Sequence, residues 1–383
     1  MEMGAFKHSD AEIKYSFLRD SSGNWMQFWY SITPSQPEPI KDQIGTIKLA
    51  ESEIFSRLDI SPETSVIKRF FSSDLISHHK EIMSYKAAQT TDFYLSLTEQ
   101  PPSTGVKLAL LGMCLSNVSE KNRHDNLFYF DTTTGIKHIF AEHLVDTDAD
   151  EHSNSETQTT NIFSALQDKL SKFNATIEGN VLRTWLYAPH VDADYAGIVK
   201  ARKELFDRLN LTKDTHYIAS TGIQGGSTNQ FARVFMDAYA VVGLDEQDVR
   251  YIQALENMSP THAYGVTFER ATGVHMGPTD FLFISGTASI DKDGNIMHEG
   301  DIVKQTERTL ENISALLKET DFVESDLSSF IVYLRDPTDY NLVRPKIDKY
   351  VKNLPAVYVK APVCRPGWLI EIEATAARFI QSQ

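Results

Sequence analysis

The chain has 383 residues, of which 41% are hydrophobic and 23% charged, and its formal net charge at pH 7 is −15. A chain of this length is too long to fold around one ordinary hydrophobic core, so we predict two or three modules. Nucleic acids and anionic membranes are bound mainly through Lys and Arg side chains that neutralise phosphates. The acidic balance therefore argues against both as partners.

Cysteine usage and the first residues favour a cytoplasmic protein. The two cysteines, Cys114 and Cys364, lie far apart and form no metal-type pair, which favours a reducing compartment. The first 20 residues carry scattered charges and no apolar segment, so we predict no signal peptide. The sequence has no run of 18 apolar residues, so we predict no membrane-spanning helix. Nucleotide loops, H-E-x-x-H and G-x-S-x-G are absent from the sequence, and the histidines lack ligand spacing. We predict a protein that needs no metal and no cofactor.

Residues 1–145 form an N-terminal region that we expect to include the first strands of one module. Residues 146–160, DTDADEHSNSETQTT, lack any large apolar side chain and predict a solvated, flexible loop. Beyond them, the spacing of Ile162, Leu166 and Leu170 predicts an amphipathic helix. The rest of this module, over 161–270, is predicted to contain a strand at 181–187, a helix at about 194–209, and strands at 217–220 and 233–242.

The same order of elements returns over residues 271–383. The predicted elements there are a strand at 281–285, a DKDGN turn at 291–295, a one-faced helix over 305–318, a strand at 330–334, a helix at 339–351, and strands at 356–360 and 369–376. Matching the halves aligns Phe235 with Glu371 and Asp237 with Glu373. We predict an α+β fold of two duplicated modules in a pseudo-oligomeric arrangement, so that the chain works as a monomer. The alternative is two α+β units that merely look alike.

Two carboxylates share one face of the last strand. Alternation along residues 369–374 puts Glu371 and Glu373 on one face and apolar residues on the other. A strand beside helices usually buries both faces, so these carboxylates need a pocket, a partner or solvent; an exposed face or a salt bridge is the simpler alternative. Just upstream, Cys364 and Arg365 lie in a tight turn near the same sheet edge.

The blocks FLFISGTASI at 281–290 and CRPGWLIEIEA at 364–374 resemble the YjgF/RidA-type module, whose fold is chorismate-mutase-like, as elaborated in the chorismatases. The resemblance extends back to an R-T-W-x-Y strand at 183–187 and covers about half of the chain. Further matching positions are Tyr195, Arg202, Thr221, Gly222, Tyr264, Gly265, Phe268 and Arg270.

The resemblance implies an enzyme that cleaves the enolpyruvyl ether of chorismate to pyruvate and a hydroxybenzoate. It implies that Glu371 is the acid and that Cys364, paired with Gly277, marks the subtype that makes 3-hydroxybenzoate. Cleavage of an enol ether requires protonation of its terminal methylene, which suits a buried carboxylic acid. The substrate-binding residues that we predict are Tyr195, Arg202, Tyr264, Arg270, Gly277 and Arg365, the arginines because guanidinium groups bind carboxylates in bidentate fashion.

Two other functions remain open at this point. A RidA-like imine or enamine deaminase would share the module, although this chain is about three times too long for one such module. A non-catalytic YjgF-like binding protein would keep the fold and need neither Glu371 nor the arginines.

Overall fold

Three six-stranded sheets, each accompanied by helices, follow one another along the chain in the computed structural model, which describes residues 1–8, 10–20 and 24–380. In the first module the elements are β1 (Glu2–His8), β2 (Ala11–Arg19), β3 (Trp25–Pro34), α1 (Ile40–Leu58), β4 (Ser65–Ser72), α2 (Leu75–Ala87), β5 (Tyr94–Glu99) and β6 (Leu108–Leu115). Their order in the sheet is β1-β2-β3-β6-β4-β5, and only the β4–β5 pair is parallel.

The second module repeats this topology, with sheet order β7-β8-β9-β12-β10-β11. Its elements are β7 (Val118–His124), β8 (Leu127–Thr132), β9 (Lys137–Leu144), α3 (Ser155–Ser171), α4 (Ile177–Asn180), β10 (Val181–Ala188), α5 (Val191–Arg208), β11 (Ala219–Gln224) and β12 (Phe235–Val242).

The third module has the same topology again, with sheet order β13-β14-β15-β18-β16-β17. Its elements are β13 (Val249–Ile252), β14 (Ala271–Met276), β15 (Thr279–Ala288), α6 (Ile302–Lys318), β16 (Leu327–Leu334), α7 (Tyr340–Tyr350), β17 (Ala356–Lys360) and β18 (Ile370–Phe379). Helix α6 begins where the Asp301 side chain accepts a hydrogen bond from the Lys304 N–H, and it buries one apolar stripe on the sheet.

The α+β class and the repeated modules are confirmed. Matching the two halves of the sequence predicts two modules, whereas the structure has three, the larger of the numbers that the chain length allows. The first module lacks the sequence motifs by which the other two modules can be aligned, so its similarity to them is seen in the order and pairing of its strands. The third sheet also begins at Val249, before the predicted boundary at 271, because the short edge strand β13 has little apolar pattern. In the part of the chain that is described, no helix is long and apolar enough to cross a membrane.

The predicted loop at 146–160 is too long by its last six residues, which form the start of α3. The Asn154 side chain caps this helix by accepting a hydrogen bond from the Thr157 N–H. Gln158 is buried because its amide donates to the Phe231 carbonyl and accepts from the Arg233 N–H. These hydrogen bonds make a polar sequence compatible with a packed helix.

The inner faces of the three sheets pack against one another, and the helices cover the outer faces. One apolar cluster joins side chains of all three modules, including Trp29, Tyr239 and Ile331. Separate clusters pack α1 and α2 on the first sheet and α3 and α5 on the second. The arrangement is that of three subunits around a common axis, made within one chain.

Strand register relates positions in the three modules. In the parallel strand pair of each sheet, the last paired residue of the first strand is Ser72 in the first module, Ala188 in the second and Leu334 in the third. These three residues are therefore equivalent, and so are the residues one place and three places before each of them. Their partners on the neighbouring antiparallel strand are then equivalent: Ala109, Phe235 and Glu371 in one set, and Leu111, Asp237 and Glu373 in the other. The alignment of Phe235 with Glu371 predicted from the sequence therefore matches the strand pairing.

Candidate active site

A cleft between the second and third modules gathers seven of the eight site residues predicted from the sequence. Helix α5 contributes Tyr195 and Arg202, the segment before β14 contributes Tyr264 and Arg270, and the third module contributes Cys364, Arg365 and Glu371. Ser220 and Gly222 of β11, with Phe268 and Trp368, complete much of the lining.

Glu371 lies in this cleft on β18 and is only 5% exposed. Burial, followed by the nearby Glu373 charge, raises the pKa of Glu371 to about 8, with Arg183 and Arg270 opposing the rise. No described side chain or backbone group hydrogen-bonds its carboxyl. At neutral pH Glu371 is therefore a mostly protonated, unpartnered carboxylic acid facing a cleft.

Gly286 makes room for this carboxyl. The pairing of β15 with β18 shifts register between Ile284 and Thr287, which forms a bulge at 285–286. A Cβ on Gly286 would lie 2.6 Å from the Glu371 Cδ, so a larger residue could not occupy this position without moving the acid. The Gly286 N–H donates to Thr221 Oγ1 at 3.0 Å, which fixes the bulge to the second module.

Gly277 does not belong to the cleft, and its assignment to the site is corrected. It occupies the tight turn between β14 and β15 with φ of 62°, a conformation that favours glycine, and it lies against Thr134. This turn is at the far end of β15 from Ala288, which pairs with Glu371. The glycine that the structure brings to the acid is Gly286, which stands within the SGTASI block itself.

Glu373 points to the centre of the molecule, where all three modules meet. Its carboxylate accepts hydrogen bonds from Arg69 at 2.9 Å, Arg183 at 3.2 Å, Trp185 Nε1 at 2.9 Å and Tyr333 at 2.9 Å. Burial alone would raise the pKa of Glu373, but the two guanidinium groups and the hydrogen bonds hold it below its ordinary value. Glu373 is thus an ionised anchor between modules, chemically distinct from Glu371.

Two buried arginines present unpaired N–H groups in the region of the cleft. Arg202 is 1% exposed, makes contacts of 3.3 Å to Thr267 and Ser220, and leaves its Nη2 without a partner. Arg270 is 3% exposed, donates to the Ser259 carbonyl at 2.9 Å, and leaves its Nε without a partner. Neither forms an ion pair with any described residue. Buried guanidinium groups of this kind indicate a site for an anion.

Arg365 adds a third guanidinium at the half-buried side of the cleft. Its Cζ lies 4.7 Å from the Tyr264 ring centre and 5.1 Å from that of Trp368, which holds the side chain between two aromatic rings. The Arg270 guanidinium lies 5.4 Å from the same Tyr264 ring. Tyr264 therefore orients two of the three cations.

Cys364 and Tyr195 line the cleft as neutral groups. Desolvation, and then the Glu371 charge, raises the pKa of Cys364 to about 12, so its thiol is not a nucleophilic thiolate at neutral pH. Tyr195 lies against Gly222, where a Cβ would be 2.7 Å from the tyrosine Cε2. Gly222 belongs to the T-G pair recognised in the sequence. Its contact with Tyr195 could not be predicted from the sequence, because it depends on how β11 packs against α5.

Comparisons with known proteins agree with this architecture. The model of the family "Endoribonuclease L-PSP" matches residues 270–378. A RutC family protein of Pyrococcus horikoshii is 38% identical over 100 residues, which are 25% of this chain and 79% of that protein. The 3-hydroxybenzoate synthase of Streptomyces hygroscopicus is 26% identical over 215 residues, which are 51% of this chain and 62% of the synthase.

The crystal structure of a chorismatase superposes with a TM-score of 0.61 at 17% identity, covering 82% of this chain and 93% of the chorismatase chain. The chain therefore shares the chorismatase fold over most of its length, while its similarity to short RutC family proteins is confined to about a quarter of it. Through its third module, the chain belongs to the RutC family.

Proposed function

We propose that this protein cleaves the enolpyruvyl ether of chorismate, releasing pyruvate and 3-hydroxybenzoate. The observation that carries the proposal is the Glu371 carboxyl, protonated, buried and without a hydrogen-bond partner in the described chain, in a cleft with cationic side chains. The similarity to a 3-hydroxybenzoate synthase and the shared chorismatase fold support the same substrate.

The first chemical step is protonation of the terminal methylene carbon by Glu371. The C–H bond forms as the O–H bond of the acid breaks, which leaves an oxocarbenium ion at the former enol carbon and a Glu371 carboxylate. The bond between the ring and the ether oxygen then breaks and releases pyruvate, and the ring fragment, which keeps its hydroxyl oxygen, returns one proton to the carboxylate as it becomes aromatic. A raised pKa suits this role because the acid is protonated at neutral pH yet transfers its proton readily. The resulting carboxylate is stabilised by Arg183 and Arg270, the two cations that oppose its protonation in the free protein.

Chorismate carries two carboxylates, and the protein as a whole is acidic, so local cations are required to bind it. The unpaired N–H groups of Arg202 and Arg270 suit this purpose, and Arg365 supplies a third cation. The hydroxyl groups of Tyr195 and Tyr264 are neutral donors for the ring substituents. No step requires a metal or an organic cofactor.

The product is assigned from the small side chains beside the acid. Gly286 leaves the room that the Glu371 carboxyl fills, and Cys364 lines the same cleft; we infer that this arrangement favours the 3-hydroxybenzoate outcome, with Cys364 steering which ring carbon bears oxygen. Gly286 takes the place that the sequence interpretation gave to Gly277. The chain is proposed to work as a monomer, since its three modules already supply the contacts that separate subunits would make.

The test is to incubate the purified protein with chorismate in the presence of EDTA and to identify products by chromatography and mass spectrometry. Equal amounts of pyruvate and 3-hydroxybenzoate are expected from the wild-type protein and not from Glu371→Gln. Turnover of imines without turnover of chorismate would instead establish a deaminase. Chorismate binding without products would establish a binding protein.

A further inference from the structure

No described residue of the first module lines the cleft, yet this module contacts Glu373, the neighbour of Glu371 on β18, through the side chain of Arg69. Arg69, on β4, extends across the centre of the molecule and donates to Glu373 Oε1 at 2.9 Å, a contact between residues 304 apart in sequence. Its other terminal nitrogen donates to the Tyr187 hydroxyl at 2.7 Å. Arg69 is 5% exposed, so this contact is shielded from bulk solvent.

Glu371 and Glu373 form a buried pair on one face of β18. They stand two residues apart, about 6.5 to 7 Å along a strand, and both are less than 7% exposed. Two carboxyls this close in a low-dielectric interior resist being ionised together, so near neutral pH the pair holds about one proton. The chemistry depends on which carboxyl holds it.

The charged groups around the pair are distributed unequally. Glu371 faces Arg183 and Arg270 as cations, with Glu373 as an opposing charge and Cys364 and Tyr195 nearby as neutral groups. Glu373 contacts Arg69 and Arg183 directly and accepts hydrogen bonds from Trp185 and Tyr333. Arg183 is shared, because it also donates to Ser285 at 3.1 Å and to Thr221. Arg69 is the cation that contacts Glu373 without contacting the bulge beneath Glu371.

We propose that Arg69 is a positioning residue that keeps the shared proton of the carboxyl pair on Glu371, the group that faces the cleft. Without Arg69, Arg183 would be the one remaining cation within contact distance of Glu373 among the described residues, and the affinity of Glu373 for the proton would rise. The proton would then move to Glu373, and Glu371 would become an ionised group with no proton to donate. The first module thereby holds the acid in its active protonation state. The kinetic part of this inference rests on the proposed function, whereas the location of the proton does not.

The kinetic test uses Arg69→Met, Arg69→Lys and the double variant Arg69→Met with Glu373→Gln. Arg69→Met should lower kcat at pH 7 by about tenfold or more with a smaller change in KM, and Arg69→Lys should recover most of the loss because it retains the charge. The double variant should regain activity relative to Arg69→Met, because Glu371 no longer competes with a second carboxyl for the proton. A merely structural role for Arg69 predicts the opposite, since a second core substitution would lower activity further.

A matched control is Arg344→Met, which removes a salt bridge between Glu12 of the first module and α7 of the third. This variant should lose stability while kcat and its pH dependence stay unchanged. If Arg69→Met fails to fold, Arg69→Lys and the double variant still decide the question through the pH dependence of kcat. Wild-type kcat in Arg69→Met, or a double variant no better than the single one, would overturn the proposal.

Infrared spectroscopy of the ligand-free protein separates this inference from the proposed function. A protonated Glu371 without hydrogen bonds should give a high-frequency carboxylic C=O band at pH 7, absent in Glu371→Gln. In Arg69→Met the band should move to lower frequency, because the protonated group is now the hydrogen-bonded Glu373. A shifted band in a protein that does not turn over chorismate would refute the function and keep the inference; an unshifted band would refute the inference whatever the substrate.

Discussion

The cleft that holds Glu371 has a counterpart between the first and second modules, and the two differ at the position of the acid. There Phe235 occupies the place of Glu371, and the β9–β12 bulge carries His143 where β15 carries Gly286. The His143 and Phe235 rings lie 4.6 Å apart, and His143 Nε2 is 2.8 Å from Ser227 Oγ. Aromatic side chains thus fill the space that the acid occupies in the other cleft.

The cationic side of the counterpart cleft is partly retained. Helices α2 and α5 both begin three residues after the end of the preceding strand, so His79 corresponds to Tyr195 and Lys86 to Arg202. Lys86 lines that cleft but lies 3.9 Å from Asp92, whereas Arg202 has no acidic partner in the described chain. Duplication thus preserved inter-module clefts, while among the described residues an acid beside unpaired cations is found in the cleft of Glu371.

The largest effect is expected from Glu371→Gln, which should lower kcat by about 10² to 10⁴ because the amide cannot deliver a proton to carbon. Chorismate affinity and folding should be nearly unchanged. The control in the counterpart cleft is Phe235→Leu, which should leave kcat at the wild-type level. Steady-state kinetics on both variants measure this, and substantial turnover by Glu371→Gln would show that the acid lies elsewhere.

Glu373→Gln should instead reduce stability, by about 3 to 5 kcal/mol in the free energy of unfolding, because it leaves Arg69 and Arg183 without their shared carboxylate. Its equivalent Asp237 also binds across modules, accepting hydrogen bonds from Tyr94 at 2.7 Å and Ser96 at 2.6 Å. Denaturant titration measures the loss. If Glu373→Gln were fully stable but inactive, Glu373 would be the acid and the roles assigned to the two carboxyls would be reversed.

Arg202→Ala and Arg270→Ala should each raise KM for chorismate by roughly 10- to 100-fold, since each removes a charge-assisted contact of about 1.5 to 3 kcal/mol. Lys86→Ala, the counterpart of Arg202→Ala, should leave KM unchanged. Kinetics at constant ionic strength test the pair of predictions. Unchanged KM in both arginine variants would remove these residues from the site, and a raised KM in Lys86→Ala would mean that the two clefts share a function.

Activity should fall as pH rises through about 8, where Glu371 loses its proton. The same group affects stability: its pKa is higher in the folded protein than in the unfolded chain, so its contribution is fully present below about 4.5 and is lost as pH rises through about 8. Glu371→Gln should therefore flatten this part of the stability profile and be the more stable form at pH 9. Thermal unfolding from pH 5 to 9 measures the difference, and parallel profiles would contradict a raised pKa.

The smallest effect on rate is expected from Cys364→Ala, which should shift the ratio of products while kcat changes less than in any variant of the acid or the arginines. The protonated thiol contributes shape and a weak donor, not a nucleophile. Chromatography of the products quantifies the shift. An unaltered profile would leave Cys364 as a packing residue.

Much of the site could be predicted because its residues lie in short, motif-rich segments of the second and third modules. Alternation along β18 predicts that Glu371 and Glu373 share one face, but it cannot distinguish their roles. The roles differ through tertiary contacts, because Arg69 of the first module binds Glu373 and not Glu371. Gly277 was misassigned because a turn glycine and a cleft glycine look alike in sequence. The first module could not be predicted as a third copy, because its sequence lacks the motifs of the other two and strand pairing cannot be read from a single sequence.

The most direct test is isothermal titration of Glu371→Gln with chorismate, because this variant binds the substrate without consuming it. One chorismate per chain is expected, with binding weakened at least tenfold by adding Arg202→Ala and unaffected by adding Lys86→Ala. Two chorismates per chain, or binding that depends on Lys86 and not on Arg202, would contradict the proposal that the cleft containing Glu371 is the active site.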